Sequence, residues 1–270
     1  MSRRIRLDSE LVRRGLARSR EQAVQLIDAG RVSVGGRRAE KPATQVDTAS
    51  AIVVAPSEDG PDYVSRGAHK LLGALETFTS LSVDGRRCLD AGASTGGFTD
   101  VLLRRGAAHV LAVDVGYGQL AWSLRNDERV TVMERVNVRD LTPDMVGEPP
   151  TLVVGDLSFI SLRLVLPPLA AVAAPRADFV MLVKPQFEVG KDLVGAGGVV
   201  RDPALRAQSV RDAAARAMEL GLTVRGVTAS PLPGPSGNVE YLLWLGKGEG
   251  EPPVADLESE ILRAVAEGPQ

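Results

Sequence analysis

Between the apolar pair Cys88-Leu89 and the helical pattern Thr99-Asp100-Val101-Leu102-Leu103 lies the run Asp90-Ala91-Gly92-Ala93-Ser94-Thr95-Gly96-Gly97-Phe98. A buried strand, a glycine-rich turn and a helix in that order make a nucleoside-cofactor pocket in an α/β sheet. Glycines at 92, 96 and 97 let the backbone approach a ligand where a Cβ would clash. Further on, Asp114 closes the apolar strand Val110-Leu111-Ala112-Val113, where a carboxylate can hold ribose hydroxyls. Both a dinucleotide and S-adenosylmethionine place adenosine in such a crevice. Asp90 favours the second, because a carboxylate at the strand end repels a pyrophosphate and attracts a cationic methionyl group. A tight β-α turn without a ligand is the plainer alternative, and Asp114 weighs against it.

Charge divides the chain. The net charge is −2 overall, yet residues 1–46 carry +6 and the remainder −8, which points to a basic module for a polyanion. In that module Asp8 is expected to cap a helix running to Arg14, stopped by Gly15. Ser19 with Gln22 makes a capping box for a second helix, Arg20 to Ala29, which Gly30 ends. Val32-Ser33-Val34 followed by Gly35-Gly36 reads as a strand entering a tight turn. Arg13, Arg14, Arg18, Arg20 and Arg31 would then form one basic corner.

The stretch Pro56 to Asp62 reads as a linker. Beyond it, strands are expected near 87–90, 109–114, 130–134, 151–156, 178–184, 223–229 and 239–245. Helices are expected near 66–78, 96–105, 117–125, 161–172 and 203–220. The alternation predicts an α/β fold with a doubly wound, mostly parallel seven-stranded sheet and helices on both faces. The domain layout is a small α+β module over 1–60, a linker over 61–64 and the larger domain over 65–270.

Several chemistries are excluded. The single cysteine, Cys88, sits in a buried strand, so neither a disulfide nor a cysteine nucleophile is expected. His69 and His109 lack further ligands at metal spacing, so no metal site is assigned. The longest apolar stretch, Leu164 to Ala174, is too short for a bilayer and holds Pro167 and Pro168. The Arg-rich N-terminus lacks an apolar core segment, so no secretory signal is read and a cytoplasmic location is expected.

Charged residues end several apolar strands: Asp156 after Leu152-Val153-Val154-Gly155, and Lys184 after Phe179-Val180-Met181-Leu182-Val183. Such residues are usually just solvated, but two beside a cofactor pocket invite a catalytic reading. Glu240 opens the last strand and reaches the same rim if that strand runs antiparallel. Lys70 lies on a helix whose apolar face is Leu71, Leu72, Leu75 and Phe78, and by itself reads as a surface lysine.

Two resemblances sharpen these readings. The order Arg-Leu-Asp-x-x-Leu-x-x-x-Gly-Leu-Ala-x-Ser-Arg from Arg6, continued to Gly35, resembles the small RNA-binding domain named for ribosomal protein S-four. That implies binding of structured RNA through phosphates and shape, with Arg6, Arg13, Arg14, Arg18, Arg20 and Arg31 as contacts. Ser65-Arg66-Gly67-Ala68-His69-Lys70-Leu71, the Asp90–Phe98 loop, Asp114-Val115-Gly116-Tyr117-Gly118-Gln119-Leu120, Asp156-Leu157-Ser158-Phe159-Ile160-Ser161, Lys184-Pro185-Gln186-Phe187-Glu188 and Gly234-Pro235-Ser236-Gly237-Asn238-Val239-Glu240 resemble the TlyA family. These are rRNA 2′-O-methyltransferases, once called haemolysins, with an FtsJ-like catalytic domain of the class I, Rossmann-like fold.

The resemblance implies S-adenosylmethionine as cofactor and a Lys-Asp-Lys-Glu tetrad on Lys70, Asp156, Lys184 and Glu240. It implies cofactor contacts from Gly92, Ser94, Gly96, Gly97 and Phe98, with Asp90 at the methionyl amine, Asp114 at the ribose and Asn137 at the adenine edge. It implies a monomer acting on cytidine 2′-hydroxyls of 16S and/or 23S rRNA in ribosomal subunits, with an effect on cyclic-peptide antibiotic sensitivity. The N-terminal arm and a C-terminal helix, Ala255 to Ala266, lean toward action on both subunits. Which lysine is the neutral base is not legible. Base N-methylation is the nearest rival, but it leaves Lys184 and Glu240 without roles. A membrane-active cytolysin would need a spanning or long amphipathic segment, and none is read.

Overall fold

Leu7 and Leu11 stand four residues apart, one helical turn, and both are fully buried. That spacing sets the first helix of the N-terminal unit. The computed structural model describes residues 4–17, 19–55, 62–234 and 236–269, and forms two compact units, Met1–Asp62 and Tyr63–Gln270. Position 18, and with it Arg18, and most of the expected linker fall outside the described residues.

In the first unit β1 (Arg4–Arg6) precedes α1 (Leu7–Arg13) and α2 (Arg20–Asp28). Then come β2 (Val32–Val34), β3 (Arg37–Arg38), β4 (Gln45–Asp47) and β5 (Ile52–Val54). β1 pairs β4, and β2 lies between β3 and β5, all antiparallel. Ser19 caps α2 as expected, its hydroxyl accepting from the Gln22 amide at 3.1 Å. Gly35 and Gly36 both take positive φ, 57° and 79°, which a two-residue hairpin turn of this hand requires. The strands β1, β4 and β5 have no sequence signal, since three residues carry no periodicity.

Asp8 is not a helix cap. The helix begins at Leu7, because Leu7 must join Leu11 in the core, and Asp8 is drawn into the first turn and buried. Its carboxylate accepts from Arg6 at 2.7 Å and Arg20 at 3.0 Å. Glu10, also buried, accepts from Arg13 at 2.6 Å and Arg14 at 2.7 Å. Arg31 pairs with Asp62 at 2.5 Å. The expected basic corner is therefore partly neutralised from within. The exposed Arg4, Arg37, Arg38 and Lys41 have no ion pair among the described residues.

The second unit opens with α3 (Ala68–Thr77), β6 (Arg87–Ala91), α4 (Gly97–Arg104) and β7 (His109–Asp114). It continues with α5 (Trp122–Arg125), β8 (Val130–Glu134), α6 (Pro143–Val146), β9 (Leu152–Gly155) and α7 (Leu162–Val172). Last come β10 (Ala177–Val183), α8 (Pro185–Glu188), α9 (Pro203–Glu219), β11 (Thr223–Ala229), β12 (Tyr241–Lys247) and α10 (Leu257–Glu267). One seven-stranded sheet runs in the order β11-β12-β10-β9-β6-β7-β8, parallel except for β12, which is antiparallel to both neighbours. Alternate strand residues serve two cores. Cys88, Val110, Val154 and Leu182 pack under α3 and α4, while Leu89, Leu111, Val153 and Met181 pack under α7, α9 and α10.

The helix expected over 117–125 is shorter than read, and only Trp122–Arg125 is helical. Gly118 has φ +70° and its amide donates to Glu134 at 2.7 Å, so the preceding residues form a turn that drives Leu120 into the core.

The ion pairs of the first unit give an acid-sensitive helix. Arg13, then Arg14, overcome the cost of burial and hold Glu10 down at about 2, against 4.5 normally. A depressed carboxylate stabilises above its unfolded value, and that stabilisation is lost as pH falls from about 4.5 toward 2. Hydrogen exchange of the α1 amides in the full-length chain should therefore lose protection across this window. Glu10→Gln should have lower protection above about pH 4.5 and a smaller loss across the window, Asp8 and its arginines supplying what remains; unchanged protection would show that the Glu10 pairs do not hold α1.

Candidate active site

The strand order reverses between β6 and β9, and their carboxyl ends leave the crevice where ligands of doubly wound sheets collect. Asp90 pairs with Val154 and Ala91 with Gly155 across this line, which carries Asp90 and Asp156 to its two lips. Asp90 is buried. One carboxylate oxygen accepts from the Thr99 hydroxyl of α4 at 2.7 Å, while Oδ1 is buried with no partner. Burial pushes this acid up from 3.8 to about 7, opposed by the Thr99 hydrogen bonds and assisted by Asp156 and Asp114.

Asp114 ends β7 and holds the glycine loop. Its Oδ2 accepts from the Ser94 amide at 2.7 Å and its Oδ1 from the Gly116 amide at 2.6 Å. Ser94 sits at φ +48°, a left-handed position that this charged hydrogen bond helps to fix. The loop glycines answer a different demand from the expected one. A Cβ on Gly92 would lie 2.9 Å from the Asp156 carbonyl oxygen, one on Gly96 would lie 2.3 Å from Leu124, and one on Gly97 would lie 2.9 Å from the Ala68 amide. These glycines let β9, the Leu120–Leu124 segment and α3 close on the loop. Phe98 likewise turns its ring into the core with α3. Asn137 caps a short 3-10 turn, its side-chain oxygen accepting from the Arg139 amide at 3.1 Å.

The four candidate catalytic residues meet in a line. Glu240, fully buried, accepts from Lys70 Nζ at 2.6 Å. Lys70 Nζ lies 3.6 Å from Asp156 Oδ2, and Asp156 Oδ1 lies 2.5 Å from Lys184 Nζ. Exposure peaks at Asp156: the Glu240 side chain is 0% accessible, Lys70 9%, Asp156 22% and Lys184 7%. The antiparallel β12 brings Glu240 to this rim, as its position before the strand required. Lys70 is not a surface lysine: it is buried, and its ion partners are Glu240 and Asp156.

Three further residues complete the rim. Lys184 Nζ donates to Ser158 Oγ at 2.9 Å. Phe159 is 90% exposed at φ +63°, with its ring 5.2 Å from that of Phe187. Glu188 is buried and accepts from Ser161 Oγ at 2.5 Å and the Leu162 amide at 2.7 Å, tying the segment after Asp156 to α8. Sequence reasoning did not single these out. Ser158 sits two residues after Asp156 and Glu188 four after Lys184, spacings that carry meaning only once both loops share one rim. Cys88 is buried and its thiol is pushed up to about 12 by desolvation, the state of an inert core residue.

Comparison with known proteins fits this geometry. Residues 63–247 match the FtsJ-like methyltransferase family and residues 5–52 the S4 domain. The 16S/23S rRNA (cytidine-2′-O)-methyltransferase TlyA of Mycobacterium tuberculosis is 64% identical over 271 residues, covering 100% of both chains. The chain belongs to the TlyA family of FtsJ-like methyltransferases. Hemolysin A of Brachyspira hyodysenteriae is 39% identical over 239 residues, 88% of this chain and 98% of that one. A solved structure named for haemolysin, from Streptococcus thermophilus, superposes with a TM-score of 0.75 at 39% identity, covering 99% of this chain and 96% of the other. No helix among the described residues is long and apolar enough to cross a membrane.

Asp90 leaves a signature in stability. In the unfolded chain it ionises near 3.8, whereas the folded protein keeps its proton to about 7. Between these values the folded state binds more protons, so stability falls as pH rises from about 4 to about 7 and is level above. Urea midpoints of the ligand-free protein should show that slope, and Asp90→Asn should flatten it. A slope that persists in the Asn variant would assign it to another group.

Proposed function

We propose that this methyltransferase uses S-adenosylmethionine and methylates ribose 2′-hydroxyls of cytidines in 16S and 23S rRNA. One observation carries the reading: a continuous line of paired lysines and carboxylates ends at the same rim as a buried carboxylate whose Oδ1 lacks a partner. That orphaned oxygen of Asp90 fits the ammonium of a methionyl group, which would both partner it and favour its charged form. Asp114 keeps lone pairs for ribose hydroxyls beside the two amides it already accepts. Asn137 keeps its amide NH2 for the adenine edge while its oxygen caps the turn. When bound, the cofactor supplies an electrophilic methyl on a sulfonium.

The chain's own residues handle the acceptor. A ribose hydroxyl is a poor acid, so its oxygen needs a positioned base. Two carboxylates flank Lys70, whereas Lys184 faces one carboxylate and a hydroxyl. Lys184 is thus the amine that takes the 2′-hydroxyl proton. Asp156 orients it, and Lys70 with Glu240 orients Asp156. The S4 unit supplies sequence-independent grip on RNA phosphates, from the uncommitted Arg4, Arg37, Arg38 and Lys41 and the outer faces of Arg6, Arg13, Arg14, Arg20 and Arg31. Work on ribosomal subunits implies a cytoplasmic enzyme, and the methyl groups would alter sensitivity to cyclic-peptide antibiotics that contact the ribosome. That Mycobacterium relative is named for both rRNAs, and its full-length match extends through α10, which favours the dual substrate.

An rRNA target carrying a 2′-deoxy sugar only at the modified cytidine should bind and accept no methyl group, whereas one lacking the exocyclic amine there should still react. Lys184→Ala should lose at least about a hundred-fold in kcat with cofactor and RNA affinity kept. Methyl transfer to the deoxy target would overturn the ribose assignment in favour of base methylation.

Binding a methionyl ammonium against Asp90 requires its carboxylate, so cofactor affinity should rise with pH up to about 7 and then level off. Calorimetry in buffers of different ionisation enthalpy should detect proton release below that value. PH-independent binding would remove Asp90 from the methionyl site.

A further inference from the structure

Each methyl transfer that uses Lys184 as base leaves a proton on a nearly inaccessible amine. The Lys184 side chain is 7% exposed, and its polar neighbours among the described residues are Asp156 Oδ1 at 2.5 Å and Ser158 Oγ at 2.9 Å. Beyond Asp156 the line runs inward to Lys70 and Glu240, away from water. Ser158 lies on the other side and is exposed. Resting on the ribose-methylation reading above, we infer that Ser158 is the route by which the abstracted proton leaves Lys184.

The chemistry of the two neighbours separates them. Asp156 is acceptor-only when ionised and is already bracketed by two ammonium groups, so it has no proton of its own to pass outward. A hydroxyl that accepts from Lys184 still has its own O–H to donate. In the step proposed, the Lys184 ammonium gives one N–H proton to Ser158 Oγ while the original Oγ–H proton passes to a water molecule. The amine is restored with its lone pair, the hydroxyl is unchanged, and solvent carries the proton. No other reactant is needed.

The position of Ser158 is built rather than incidental. On one side the Asp156 amide donates to the Ala91 carbonyl at 3.2 Å, fixing the start of the segment to β6. On the other, Phe159 turns the chain at φ +63° and buried Glu188 grips Ser161 and Leu162. An ordinary surface serine needs no such clamp at both ends.

The test compares first and later turnovers of the full-length enzyme on its rRNA substrate. Ser158→Ala should keep the single-turnover rate within about three-fold of the parent, because the resting enzyme starts with Lys184 already equilibrated, while the multiple-turnover rate falls about ten-fold or more. Ser158→Thr, which retains the hydroxyl, should restore multiple turnover. Imidazole added to Ser158→Ala should raise its steady-state rate by accepting the proton directly. Cofactor affinity by calorimetry should be unchanged in both variants. If single and multiple turnover fall together, or neither falls, the proton route is overturned. Should Lys184→Ala or the deoxy target remain active, it is the ribose reading that fails, whatever Ser158 does.

Discussion

The contact between Glu240 and Lys70 is the one on which the site rests. A carboxylate with no solvent exposure is costly to hold in an apolar interior unless an opposite charge meets it with good geometry. Lys70 does so at 2.6 Å from 170 residues away in the chain, joining the first helix of the unit to the start of β12. Removing either partner would strand the other in the core. The pair therefore demands that α3, α4 and the antiparallel strand close together, and that closure places Asp156 and Lys184 next in line.

The parallel sheet contributes the second constraint. Its two faces are both buried, so the strands are nearly continuous runs of small apolar residues, and polar groups gather only at their carboxyl ends. Asp90, Asp114, Asp156 and Lys184 all come from such ends, and the reversal between β6 and β9 opens the crevice between them. The glycines of the loop serve this closure. By letting Asp156, Leu124 and Ala68 approach within contact, they bring the two lips of the crevice together.

The N-terminal unit solves a different problem, a very small core with many cations. Asp8 and Glu10 are buried at the start of α1 and each gathers two arginines; Asp8 ties α1 to Arg20 of α2, while the Glu10 pairs lie along α1 itself. Cations on the hairpin and at the first strand stay exposed. Positive charge in the sequence is thus divided between building the module and its exposed surface.

Sequence alone determined the α/β alternation, the seven-stranded sheet and the capping of α2 by Ser19, and family likeness pointed to the four residues proposed as a tetrad. The first three follow from local physics: continuous apolar runs alternating with amphipathic segments, a hydroxyl placed to accept from a free amide, glycines where φ is positive. The tetrad was legible only through family likeness, and the plain reading of Lys70 as a surface residue shows why. Its environment is made by Glu240 and Asp156, far along the chain, and no window around residue 70 contains them. Tertiary structure alone decided that the loop glycines face protein, that Asp8 is a buried ion-pair partner rather than a cap, that Phe98 is core, and that Ser158 touches Lys184. Burial and long-range electrostatics set each of these, and both depend on which segments the fold brings together.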